Sequence, residues 1–373
     1  MREVAVEAML PFLRESYANP SGAHSMARHA RTAIEESREV VATELGFSPH
    51  EVVFTSGGTE SDNLALRGVV VATGGMAACA ATEHHAVLHP VHSVDGLVIG
   101  VQRDGSVDFE DLARQLDHAR SGGRPVAIVS VMVVNNETGL ITDLRPVREV
   151  IDRHAPGAVL HTDAVQGVNW VDPLTAFESA DLVSLSGHKF GGPKGVGVLA
   201  VRDHVRLAPQ ILGGGQEAER RSGTHNTAGI VALASALGEL GRTRTDTNIR
   251  LARERDRLAD GVCAAVPGVA ETVDRAQRAA GIVQLVIQGI ETEALLVLLE
   301  RGGVMASAAS SCASGAMEPS HVLAAMGYDR IAAAGSLRLS LGWSTTSEDI
   351  DRALEVIPPS IRQLRTPVGT GVR

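Results

Sequence analysis

The sequence predicts an α/β protein: a large domain built on a mostly parallel sheet, followed by a smaller α+β C-terminal domain. Three observations carry this. Short β-rich runs alternate with helix-like stretches through the first 200 residues, the pattern of βαβ units. The run 126–134 (VAIVSVMVV) is apolar at nearly every position, as a strand covered on both faces should be. From about residue 226 the texture changes, with Ala/Leu-rich helical sequence first and fewer strands beyond it.

Taken in order, 21–45 reads as a long amphipathic helix stopping at Gly46. Strand 51–55 (EVVFT) leads into a helix over 59–72, and 76–82 (MAACAAT) is the next strand. Helix 108–119 precedes strand 126–134, and helix 144–154 precedes strand 157–162. Strands 181–185 and 195–201 close this part, and 226–265 reads as a connecting helical region. The final part carries strands 281–289 and 335–341 and helices 291–301, 319–326 and 347–357. Thr346 with Asp349 fits a capping box for the last helix. No repeat or heptad pattern is present, and the last ten or so residues read as a frayed tail.

With 373 residues the chain suits two domains of about 150 each. Apolar residues make up 44% and charged ones 21%, an ordinary globular balance, and the net charge of −10 argues against a broad basic face for nucleic acid. No apolar run reaches the roughly 18 residues that cross a bilayer. The start, MREVAVEAMLPFL, lacks the regions of a signal peptide. Cys79, Cys263 and Cys312 are odd in number and widely spaced, which fits neither a disulfide framework nor a zinc site. The expectation is a reduced, cytoplasmic enzyme with no metal.

Five motifs could carry chemistry. TSGGTESDN at 55–63 follows a strand and opens a helix, so its glycines and first-turn N–H groups suit a phosphate; the plain alternative is a capping box of Thr59 and Asp62. HTDAVQ at 161–166 puts Asp163 just past a strand, where a carboxylate can hold a protonated ring nitrogen or merely cap a helix. SLSGHKFGGPKGVGV at 184–198 places Ser186, His188 and Lys189 at another strand end. A lysine desolvated there can form a Schiff base, although a lone lysine is usually a solvated charge. Cys312, in SSCASGAMEPSHVL, lies among small residues in a stretch without period, either an accessible thiol nucleophile or a loop residue without a role. His84 in TEHHAV sits at a strand end, as proton shuttle, stacking partner or structural residue. Cys79 reads as a buried strand cysteine and Cys263 as helix packing. A phosphate site, a ring-nitrogen carboxylate and an aldehyde-binding amine at one sheet edge together describe pyridoxal 5′-phosphate.

The chain resembles a cysteine desulfurase of the NifS/IscS type, in the class V aminotransferase group of fold-type I enzymes. The resemblance rests on NPSGAH, TSGGTESDNLALRG, TEHHAV, VNNETG, HTDAVQG, SGHKFGGPKGVG, GGGQEAERRSGT, SSCASGAMEPSHVL and SLRLSLGWSTT, in family order from about residue 19 to 346. It implies a seven-stranded sheet in a large cofactor-binding domain (15–245), and a small domain (246–373) joined by residues 1–14. Lys189 would form the Schiff base with pyridoxal phosphate, Asp163 would pair with the ring nitrogen, and His84 would stack on the ring. Asn136 and Gln166 would address the phenolic oxygen. Gly58, Thr59, Ser186 and His188 would hold the phosphate, with Thr224 reaching the site of the other subunit of a homodimer. Arg338 would clamp the substrate's α-carboxylate, and Cys312 would accept the sulfur.

The implied reaction turns L-cysteine into L-alanine and leaves a persulfide on Cys312 for an acceptor protein. A selenocysteine lyase, or another lyase of sulfur amino acids, is the alternative. The family usually opens with a segment resembling YLDNAATTP, which is missing ahead of Met1; a mis-assigned start codon is the expected reason. The C-terminal extension with which housekeeping desulfurases hold their scaffold protein is not apparent. That weakens an assignment to general iron–sulfur assembly and leaves tRNA thiolation, DNA phosphorothioation or a biosynthetic pathway open as destinations of the sulfur.

Overall fold

The computed structural model describes residues 1–308 and 320–366. The chain divides into two units, the first made of 1–100, 107–134 and 142–244, the second of 101–106, 135–141 and everything from Thr245 onward. Cys312 lies outside the described residues.

The first unit opens with α1 (Glu3–Arg14) and α2 (Ser25–Leu45). It continues through β1 (Val52–Thr55), α3 (Gly58–Thr73), β2 (Met76–Ala80), α4 (His85–Ser93), β3 (Leu97–Ile99) and α5 (Phe109–Ser121). Then follow β4 (Val126–Ser130), α6 (Leu144–His154), β5 (Val159–Asp163), α7 (Pro173–Ala176), β6 (Leu182–Ser186) and β7 (Gly197–Val201). The helix α8 (Thr227–Ala265) begins here, and the division between units falls inside it. The seven strands form one sheet in the order β1-β7-β6-β5-β4-β2-β3. Strands β6, β5, β4, β2 and β3 run parallel, and β7 is antiparallel to both its neighbours. Residues 1–14 belong to this unit, where Arg2 is tied to the Phe190 carbonyl by its Nε–H at 3.0 Å.

Local chemistry sets these boundaries. The helix α2 ends where Gly46 turns left-handed at φ 71°, a conformation that glycine adopts without cost. Asp108 and Asp143 cap α5 and α6 by accepting first-turn N–H groups. The parallel strands β2, β4, β5 and β6 bury every residue or nearly so, and Val53, Leu64, Leu66, Val69, Ala77, Val87, Ile128 and Leu199 form a core beneath α3 and α4. The run 126–134 is buried as expected, but only Val126–Ser130 pairs as strand; Val131 leaves the ladder after donating its N–H to the His161 carbonyl.

The second unit carries the rest of α8, then β8 (Val269–Glu271), β9 (Ile282–Ile287), α9 (Thr292–Arg301), α10 (His321–Ala325), α11 (Arg330–Ala334), β10 (Ser336–Ser340) and α12 (Ser347–Arg365). Its three strands form an antiparallel sheet, β10-β9-β8. The Thr346/Asp349 capping box opens α12. That helix runs through Pro358 and Pro359, past the stop expected at 357. Pro358 and Ile361 are buried, so packing of one face carries the helix across two missing N–H groups. Among the described residues no helix is long and apolar enough to cross a membrane.

One close approach fixes the catalytic edge of the first sheet. A Cβ at Gly197 would lie 2.6 Å from the Gly57 Cα and 2.7 Å from the Leu185 carbonyl oxygen, both backbone atoms that cannot swing away. Gly197→Ala should therefore force β7 and the start of α3 apart and cost about 1–3 kcal/mol. Urea denaturation followed by circular dichroism checks this; an unchanged midpoint would mean that the edge yields freely.

Candidate functional site

The carboxyl ends of the parallel strands gather the expected residues of the first unit. Strand β1 ends at Thr55, the chain turns at Gly57 (φ 153°), and α3 begins at Gly58. No side chain caps this helix, so the Thr59/Asp62 capping box is not formed. Instead the Thr55 and Ser61 hydroxyls lie 2.8 Å apart, Ser61 donates to the Val198 carbonyl at 3.0 Å, and Asp62 is turned inward, 1% exposed. The first-turn N–H groups of α3 have no preceding carbonyl to receive them and face the strand ends. A Cβ at Gly58 would strike Val165 Cγ2 at 2.6 Å and approach Ser186 Cβ at 3.6 Å, so only glycine lets these two side chains pack against the start of α3.

Ser186 closes β6, and its hydroxyl lies 2.9 Å from His188 Nδ1. His188 and Lys189 follow in a single 3-10 turn and are both exposed. The lysine is thus reachable but not desolvated by packing, unlike the sequence-based argument for a buried amine. Partial burial and then the charges of Lys189 and Lys194 lower the His188 pKa. His84 caps α4, its Nδ1 accepting the Ala86 N–H at 3.1 Å. Partial desolvation, then Lys189 and then His89, lower its pKa, so it is a neutral ring at physiological pH. A cavity of about 440 Å³ lies beside it, lined by Thr59, Asn63, Arg67, His84, His85 and His89 among others.

Asp163 is the last residue of β5 and is 4% exposed. Burial pushes its pKa up to about 6, against the Val165 N–H (2.9 Å from Oδ1) and the charge of Lys189, which both lower it. Gln166 lies one turn further on, half-buried. A helix N-terminus for a phosphate, a buried carboxylate for a ring nitrogen and a reachable amine for an aldehyde suit pyridoxal phosphate in all three parts.

Thr224 is exposed, on a segment held by its neighbours. Arg221 pairs with Glu60 of α3 at 2.8 Å, and the Gly223 N–H donates to Gln216 Oε1 at 2.9 Å. Just ahead lie three consecutive left-handed residues that are not glycine: Glu217 (φ 49°), Ala218 (φ 52°) and Glu219 (φ 64°). Glu217 is pinned from several sides. Arg38 meets both its oxygens at 2.9 Å, the Phe54 N–H donates to it at 2.8 Å, and His225 Nε2 lies 2.6 Å away. Nothing in the sequence singled out Arg38 or Glu217; they stand 179 residues apart.

Asn136 and Arg338 lie in the second unit. Arg338 Nη1 donates to the Asn136 carbonyl at 3.0 Å, and its backbone exchanges hydrogen bonds with Ser307. Glu137 beside them is buried and hydrogen-bonded to Ser320. Burial raises its pKa to about 7, with Ser320 and Arg338 pulling it back.

The aminotransferase class-V family profile matches residues 1–353. The chain is similar to the cysteine desulfurase IscS of Methanosarcina thermophila, 38% identical over 98% of this chain and 90% of that protein. It is 40% identical to an IscS-like cysteine desulfurase of Mycobacterium tuberculosis, covering 98% of this chain and 94% of the relative. Among solved structures, a NifS-like protein superposes with a TM-score of 0.89 at 31% identity, over 98% of this chain and 97% of the other.

Glu217 gives this region a signature in acid. Although burial opposes ionisation, Arg38, His225 and the Phe54 N–H together lower its pKa from 4.5 to about 2. A carboxyl whose folded pKa is depressed adds stability that is complete above its unfolded pKa and is lost as pH falls through the folded one. Glu217→Gln, which leaves the buried Arg38 with only the exposed Glu35 as counter-charge, should cost about 2–4 kcal/mol at pH 7. That difference from wild type should shrink steadily between pH 4.5 and 2. Chemical denaturation at a series of pH values checks both, and a difference that is constant with pH would remove Glu217 as the acid-labile group.

Proposed function

The chain belongs to the aminotransferase class-V family, and from this premise we propose that it is a pyridoxal-phosphate-dependent cysteine desulfurase. It converts L-cysteine to L-alanine and passes the sulfur to an acceptor protein. The observation that carries the reading is the grouping, in one unit, of a reachable Lys189, a buried Asp163 and the uncapped start of α3. The similarity to proteins named cysteine desulfurase gives that grouping its substrate.

Each side chain then has a task. The N–H groups of Gly58 and Thr59, the Ser186 hydroxyl and the His188 ring hold the phosphate. Asp163 keeps a proton on the ring nitrogen, His84 covers the ring face, and Asn136 and Gln166 address the phenolic oxygen. Lys189 would hold the aldehyde through its amine, and the same amine would serve as the base for the substrate Cα proton. Arg338 takes the substrate α-carboxylate with its planar fork. When bound, pyridoxal phosphate supplies the electron sink that stabilises negative charge next to the breaking bonds. The Cys312 thiolate attacks the substrate sulfur; the carbon–sulfur bond breaks, its electron pair stays with carbon, and a proton completes alanine. The result is a persulfide on Cys312.

A homodimer fits an exposed Thr224 reaching the phosphate of a second subunit. A cytoplasmic location fits the free thiols of Cys79 and Cys263.

Incubating the protein with L-cysteine, pyridoxal phosphate and a thiol reductant should release alanine and sulfide in equal amounts. Cys312→Ser should lose nearly all of that release while still binding the cofactor, and Lys189→Ala should lose turnover altogether. If Cys312→Ser matches wild type, the persulfide step is wrong and direct elimination, as in a selenocysteine-type lyase, replaces it. Selenocysteine as substrate in the same assay separates the two.

A further inference from the structure

Lys189 stands on a turn that its own sequence leaves soft. Between β6 and β7 the stretch 187–195 reads GHKFGGPKG, with four glycines in nine residues. Glycine has the most backbone freedom to lose on folding, so this stretch gains little stiffness from its own residues. Gly191 (φ 95°) and Gly195 (φ 78°) take left-handed conformations that other residues enter only with strain. Within the turn, the Gly187 carbonyl accepts the N–H groups of Phe190 at 3.3 Å and Gly192 at 2.8 Å, and the Phe190 ring is buried.

The next carbonyls are held from outside. Those of Lys189, Phe190 and Gly191 each accept from a residue far away in the chain. Asn169, in the 3-10 turn after β5, donates its side-chain N–H to the Lys189 carbonyl at 3.3 Å. Arg2, the residue before α1, donates its Nε–H to the Phe190 carbonyl at 3.0 Å and its backbone N–H to the Gly191 carbonyl at 2.8 Å. Both residues are 8% exposed, so water competes weakly for these bonds. The Asn169 amide also lies 3.4 Å from the Gln166 carbonyl, which ties the turn that follows Asp163 to the turn that carries Lys189.

We propose that Arg2 and Asn169 are positioning residues for Lys189: they fix the backbone of the glycine-rich turn, so that the exposed amine reaches its reacting atoms by rotation of its own side chain alone. That the amine acts on a cofactor and a substrate rests on the function proposed above; the fixing of the turn does not.

The lysine amine hangs on a flexible four-carbon stem, so its reach moves with its Cα. It has two tasks, holding the aldehyde and serving as base at the substrate Cα, and side-chain rotation must serve both. A drifting backbone would add error to each, and a misplacement of about 1 Å can cost about a hundredfold in rate. A single hydrogen bond lets a peptide unit pivot about it. Donors to three successive carbonyls, drawn from two distant elements, leave no such pivot. Site residues are held to this tolerance by the hydrogen bonds of the residues behind them.

Two measurements on the full-length protein test the proposal. Arg2→Met keeps the reach of the side chain and removes its donor, Arg2→Lys puts one donor back, and Asn169→Ala removes the tie on the other side. Amide hydrogen exchange, read by mass spectrometry with and without pyridoxal phosphate, comes first. Arg2→Met and Asn169→Ala should each speed exchange at Phe190 and Gly192 about tenfold while β5 exchanges as in wild type, and Arg2→Lys should stay near wild type. Should one variant fold poorly, the other carries the test. Rates unchanged, or raised evenly across the first unit in both, would overturn the proposal. The second measurement follows deuterium entering the Cα of L-alanine, with pyridoxal phosphate bound and heavy water as solvent. Arg2→Met should slow this exchange about tenfold to a hundredfold at saturation while half-saturation by alanine stays put, and Arg2→Lys should recover it. An unchanged rate, or a loss confined to alanine affinity, would sink the idea. If the wild type binds no pyridoxal phosphate or exchanges no alanine proton, it is the proposed function that fails, and the amide exchange alone decides whether Arg2 and Asn169 hold the turn.

Discussion

A negative charge held on Asp163, where almost no water reaches it, is the constraint on which the first unit depends. In a medium with an effective dielectric constant of about 20, two unit charges 4 Å apart interact by about 4 kcal/mol. A carboxylate at the buried end of β5 therefore needs compensation close by, and its neighbours cannot share its sign cheaply. The Val165 N–H and the charge of Lys189 supply the compensation. The neighbouring carboxyls, Asp62 and Glu83, respond by shifting toward their protonated forms. The sheet makes this geometry available because β4, β5 and β6 run parallel, with Ser130 beside His161 and Asp163 beside Ser184.

The same edge shows why much of the site was legible in the sequence. A strand, a glycine pair and a helix start are local features, and so are an aspartate closing one strand and Gly-His-Lys following another. Each motif sits at the end of its own strand, although the sheet sets the strands in the order β1, β6, β5, β2 rather than in chain order. The pieces that were not legible depend on contacts between distant segments. Asp62 reads locally as a helix-capping residue, yet α3 is uncapped and Asp62 is turned into the sheet, because Gly57 rather than a polar side chain occupies the capping position. His161 meets Ser130 across 31 residues, and nothing in either local sequence announces the contact.

Secondary structure failed to be legible for similar reasons. Strands β3 and β8 have three residues each, too few for an alternation pattern to stand out. The helix expected over 347–357 erred the other way, since α12 runs on through Pro358 and Pro359 to Arg365. Tertiary burial of Pro358 and Ile361 outweighs the loss of the N–H groups, as it commonly does when a helix has a face to pack.

The left-handed turn at Glu217–Glu219 extends the argument from charge to backbone strain. For L-residues this conformation costs about 1–2 kcal/mol each, so three in succession store several kcal/mol. Such a turn persists only if something holds it, and the Glu217 carboxylate does so from inside the protein, through Arg38, His225 and the Phe54 N–H. Arg38 in turn donates to the Val52 carbonyl at 2.7 Å, at the start of β1. The strand that ends at the start of α3 and the segment that presents Thr224 are thus braced by the same ion pair. Arg221, bound to Glu60 in the first turn of α3, adds a second tie between them. The exposed end of this segment is consequently fixed relative to the start of α3. The donors around Glu217 hold its pKa down and brace the backbone here, while at Asp62 burial and the charge of Asp163 push the pKa up. The difference between the two lies in what the fold supplies: an arginine, a histidine and a backbone N–H at Glu217, and burial beside a second carboxyl at Asp62.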